Sequence, residues 1–106
     1  MVVRPPRQVS RAPSGETALD VLAYELRAEQ ASSLGHAGRK VEAILAALRA
    51  CESDGPARDA LVMDAAEAVY FYFIQRELVG LRNTAQTIRD YAIPADVLAR
   101  LGCKRP

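Results

Sequence analysis

The side chains able to do chemistry fall in three places. Glu25 and Glu29 stand four apart, which puts both carboxylates on one helix face. A carboxylate-bridged di-iron bundle needs further glutamates and a Glu-x-x-His from facing helices. The single histidine, His36, has Ser33 three residues before it, so that ligand set is incomplete and the pair reads as a solvated face. His36 itself lies in Gly35-His36-Ala37-Gly38-Arg39-Lys40. An imidazole beside two cations suits an anion contact or a pH-sensitive group; a surface histidine beside basic residues is the plainer reading. The two glycines lack the spacing and the preceding strand of a phosphate-cradling loop.

The third place is Glu67 with Gln75, Arg76 and Glu77. Glu67 is flanked by alanines on a largely apolar stretch, and a buried carboxylate there needs a cationic or hydrogen-bonding partner. Arg76 is nine residues further on, too far to pair with it along one helix. Arg76 or Glu77 can pair across an interface, or with Arg82, Arg89 or Asp90. A polar network that fixes register and a pocket for a small molecule are the two readings of this group. Cys51 and Cys103 have no C-x-x-C neighbour, and one histidine is too few for a usual zinc site. The residues offer no catalytic constellation, so no catalytic residue, cofactor or metal is assigned.

These groups have to be positioned by helices. From Leu19 the apolar positions are Leu22, Leu26, Leu34, Ala37, Val41, Ile44 and Leu48, with Gln30 as the exception. Steps of three and four are helical periodicity, and the phase runs straight through Gly35 and Gly38. One long helix over residues 17–52 follows, with the glycines admitting another helix closely; a bend at Gly35–Gly38 is the rival. Thr17, with Asp20 three residues on, is close to a capping box. Ser53-Asp54-Gly55-Pro56 stops the first helix and starts a second, over 56–81. Asn83 or Thr84 caps a short helix to about Tyr91, and Pro94 opens a last one, 94–101, ended by Gly102. The spacing of Ile88, Ala92, Ile93, Leu98 and Leu101 weakly suits a helix-turn-helix. Yet the second helix is short, begins with proline and carries Asp96, a poor offering to base edges.

Four of the six aromatic rings lie together in Val69-Tyr70-Phe71-Tyr72-Phe73-Ile74. The residue types favour a strand. The flanking helix formers, Ala65 to Ala68 and Gln75 to Leu78, decide for a helix. Six consecutive apolar residues on a helix face every direction and must be covered on every side. A small domain buries a modest share of its surface alone. The run therefore predicts self-association, with its rings facing both the chain's own first helix and a second subunit.

Charge is unevenly spread. The net charge is +1, but residues 1–14 carry three arginines and no acid, residues 15–81 six bases and eleven acids, and residues 82–106 five bases and two acids. Residues 1–14, with three prolines, read as a disordered basic arm ahead of a single helical domain, 15–106. The basic ends allow a nucleic-acid contact; solubility is the plainer role. No secretory signal is visible, no apolar run approaches the ~18 residues of a membrane span, and two cysteines without a disulfide framework suit a reduced cytoplasm.

The segments Gly35-His36-Ala37-Gly38-Arg39-Lys40-Val41-Glu42, Gln75-Arg76-Glu77 and Ile88-Arg89-Asp90-Tyr91-Ala92-Ile93-Pro94 resemble those of a family of small bacterial proteins of unknown function. The resemblance spans most of residues 19–102. It implies a helical fold and supplies no activity. The expectation is an all-α protein: a long antiparallel hairpin with two short C-terminal helices, pairing as a dimeric four-helix bundle. It would be a non-enzymatic interaction or regulatory module. A nucleic-acid-associated protein and a small-molecule binder near Gln75, Arg76 and Glu77 are the alternatives.

Overall fold

The computed structural model describes residues 15–104. The basic arm expected over residues 1–14 lies outside the described residues. Four helices follow one another: α1 (Gly15–Ala50), α2 (Pro56–Leu78), α3 (Thr84–Tyr91) and α4 (Ala95–Leu98). No strand occurs among the described residues. Helix α1 is unbroken through Gly35 and Gly38, and Val69–Ile74 is helical within α2.

The described residues divide between two units, one ending at Ser32 and the other beginning at Ser33. In the first, residues 17–32 of α1 are exposed except for the half-buried Ala23. Its apolar stripe of Leu19, Leu22 and Leu26 is open to solvent.

The second unit contains the core. Ala37, Val41, Leu45 and Leu48 of α1 are buried with Val62, Ala65, Ala66, Val69 and Tyr72 of α2, and with Ile93 and Val97. The α1 residues recur at steps of four, four and three, so one stripe faces inward. Leu45 takes the fully buried place and Ile44 is half-buried beside it. Each fully buried valine or leucine contributes ~1.5–3 kcal/mol. The chain reverses between α1 and α2: Gln75, near the end of α2, donates its side-chain amide to Ser33 Oγ at 3.2 Å. Helix α4 packs on α2, tied by an Arg58–Asp96 ion pair at 3.0 Å.

The helix ends are set by backbone chemistry. Gly55 at φ 87° turns the chain, Pro56 opens α2, and the Gly55 carbonyl accepts the Asp59 amide at 2.9 Å. Helix α2 ends at Leu78, three residues before the expected Leu81. Gly80 at φ 88° closes it as the Leu81 amide reaches back to the Arg76 carbonyl at 2.8 Å and the Gly80 amide to that of Glu77 at 3.0 Å. That pair of bonds is a Schellman motif. Asn83 caps α3 by accepting the Gln86 amide on its side chain at 3.2 Å. The last helix is shorter than expected, ending at Leu98 rather than Leu101, and the chain continues in turns to Gly102.

Candidate binding groove and the tyrosine pair

Within the second unit, α1 and α2 leave a groove between them of about 800 Å³. Ser33, His36 and Lys40 form its α1 edge, and Asp64, Glu67 and Phe71 its α2 edge; Ala37, Ala43, Ile44 and Ala68 complete the lining. The spacing explains the alignment. Ser33, His36, Lys40 and Ile44 step by three, four and four, and Asp64, Glu67 and Phe71 by three and four, so each set shares one helix face. Ala37 and Ala68 are buried and make the bottom apolar. His36, Lys40, Glu67 and Phe71 are exposed. The groove therefore has an apolar floor, a basic edge and an acidic edge. Such a surface suits the apolar face of a helix with charges on both flanks.

The sequence-derived site residues are distributed as follows. Phe71 and Glu67 line the groove, and Glu67 is exposed rather than enclosed. Gln75 is bonded to Ser33, which lines the groove. Arg76 turns elsewhere, with its guanidinium 5.7 Å from the centre of the Tyr72 ring, and Glu77 is exposed. Of the anticipated partners for Arg76 and Glu77, Arg89 and Asp90 both bind Gln86, at 2.9 and 2.7 Å. The aromatic run divides. Val69 and Tyr72 are buried and Phe73 packs against the core, whereas Tyr70, Phe71 and Ile74 are exposed. The Tyr70 ring lies beside Gly102, within ordinary contact distance of the position a Cβ there would take. Lys40, Ile44 and Asp64 had no place in the sequence-derived polar site. The signal that could have found them is the matching three-and-four spacing on two successive helices.

On another face of α1, Tyr72 and Tyr91 share a hydrogen bond, hydroxyl to hydroxyl, at 3.1 Å. Their rings are 5.5 Å apart and tilted at 57°. Burial, and next the Tyr72 hydroxyl, push the Tyr91 hydroxyl up from 10.0 to about 12. Gly38 makes room for the pair. Among the described residues, no group of three or more His, Cys, Asp or Glu could hold a metal ion, and no helix is long and apolar enough to cross a membrane.

The sequence profile of a family of unknown function (DUF6665) matches residues 6–105. The chain belongs to that family. The resemblance read from Gly35–Glu42, Gln75–Glu77 and Ile88–Pro94 holds at that level, and the match reaches further toward both ends than residues 19–102. Comparison with curated proteins and with solved structures gives no match. The groove of this DUF6665 member is thus read from its own residues.

Proposed function

We propose that this DUF6665 member is a non-enzymatic, self-associating helical module of the bacterial cytoplasm, acting through a homodimer. The exposed apolar side chains carry the reading. Leu19, Leu22 and Leu26 on α1, and Tyr70, Phe71, Ile74 and Leu78 on α2, are all exposed. Scattered single apolar residues need no explanation, but rows of them along two helices mark interaction surfaces. Pairing of the α1–α2 hairpins of two copies as a four-helix bundle would cover them. The free thiols of Cys51 and Cys103 are compatible with a reducing compartment. The test is light scattering at micromolar concentration: a dimer is expected for the full chain, and Phe71→Glu should shift it to monomer with its helicity kept.

A second reading has one observation in its favour. A groove of about 800 Å³ is within the size range of small-molecule sites. Thermal-shift screening would test it. A ligand whose stabilisation vanishes in Lys40→Ala would support a small-molecule role, and a screen without hits would favour the dimer.

A further inference from the structure

We propose that the groove between α1 and α2 seats the N-terminal half of α1 from a second copy of this chain, the contact being made twice about a two-fold axis. The inference rests on the self-association argued above and states which surfaces meet. Three observations support it.

The first is apolar match. Leu19, Leu22 and Leu26 are 66%, 52% and 52% exposed, and Phe71 at the groove is 54% exposed. Leucines at i, i+3 and i+7 are spaced as knobs for a helical groove, and alanines at the bottom leave space for them. The second is length. At about 1.5 Å per residue the leucine stripe covers roughly 10 Å, and the α1 edge from Ser33 to Ile44 roughly 16 Å, so the stripe fits within the groove.

The third is charge. Around the helix, Glu25 and Glu29 fall on one flank of the leucine stripe, and Arg27 with Asp20 on the other. The groove has His36 and Lys40 on one edge and Asp64 and Glu67 on the other. Setting the glutamates against the basic edge brings Arg27 to the acidic edge. The charge complement of this seat is the pairing of Glu25 and Glu29 with the Lys40 edge. A two-fold dimer makes the contact twice, once in each direction of donation.

The test uses two full-length variants that each spoil one half of the contact. Leu22→Glu/Leu26→Glu removes the stripe and leaves the groove; Phe71→Glu spoils the groove and leaves the stripe. All three positions are exposed, and circular dichroism should show unchanged helicity. Each variant alone should be monomeric at a concentration where the wild type is a dimer. An equimolar mixture should give a one-to-one heterodimer, because one intact stripe then meets one intact groove. Lys40→Glu should weaken the wild-type dimer several-fold, and adding Glu25→Lys/Glu29→Lys to the same chain should recover most of that loss. A wild-type monomer overturns self-association and this docking together. A wild-type dimer that survives Leu22→Glu/Leu26→Glu unchanged, or variants that do not complement on mixing, overturns the docking alone.

Discussion

Gly38 stands directly against Tyr91: a Cβ at residue 38 would lie 3.0 Å from the Tyr91 hydroxyl oxygen and 3.4 Å from the Tyr72 ring. The tyrosine pair therefore depends on a residue with no side chain in the middle of a long helix. At Gly35 the same Cβ would meet only the end of the Arg39 side chain, at 3.3 Å. Two glycines three residues apart should respond in opposite ways. Gly35→Ala should stabilise the protein by up to about 1 kcal/mol through helix propensity. Gly38→Ala gains the same propensity but overpacks the tyrosines, which costs ~1–3 kcal/mol, and it should be destabilising by about 1 kcal/mol. Urea unfolding followed by circular dichroism measures both.

Tyr91 makes stability fall at high pH. Its hydroxyl holds its proton to about 12 in the folded chain, against 10.0 ordinarily, through burial first and the Tyr72 hydroxyl second; Glu42 adds to the rise and Arg76 opposes it. A raised value means that the folded state keeps a proton which the unfolded state loses. The contribution is therefore complete below pH 10 and disappears as pH rises toward 12. Tyr91→Phe should be less stable at neutral pH, by about 1 kcal/mol for the lost hydrogen bond. Its stability should also decline less steeply between pH 10 and 12, as read from urea midpoints across that range.

Ala92 closes α3 in a left-handed conformation, φ 52° and ψ 51°. Its amide reaches the Arg89 carbonyl at 3.1 Å, and the Ile93 amide reaches that of Ile88 at 3.1 Å. An L-residue in that region costs roughly 1–2 kcal/mol, which glycine avoids while losing more freedom on folding. Ala92→Gly should be stabilising by about 0.5–1 kcal/mol, a gain visible as a higher thermal midpoint.

Two neighbours on α4 should differ in weight. Val97 is fully buried, and Val97→Ala should cost about 2 kcal/mol. Asp96 makes the ion pair with Arg58, but its side chain is 43% exposed. Asp96→Ala should cost well under 1 kcal/mol, since solvent screens such pairs. Chemical denaturation of both variants separates the two effects.

The helices were legible wherever local rules acted alone. The apolar phase held across Gly35 and Gly38 and predicted an unbroken α1. Gly55-Pro56 marked the reversal, and Asn83 the start of α3. The end of α2 was missed because the apolar pattern continues to Leu81, whereas Gly80 can take the positive φ that a Schellman closure requires. The aromatic run predicts rings facing both the chain's own first helix and a second subunit, without saying which rings face which. On a helix, successive side chains turn by about 100°, so the direction of the partner decides which are covered. That direction put Val69 and Tyr72 inside and left Tyr70, Phe71 and Ile74 outside. The groove was half legible. The sequence marks Phe71 for self-association, Glu67 for a polar network or small-molecule pocket, and His36 for a surface place beside basic residues or an anion contact. Their meeting place depends on the register between α1 and α2, which no spacing within either helix contains.

Self-association is the central claim, and the mass of the full chain in solution tests it most directly. Sedimentation equilibrium across a micromolar concentration series should fit a monomer–dimer equilibrium that approaches twice the 11.5 kDa chain mass. A single species at the chain mass throughout that series would contradict it.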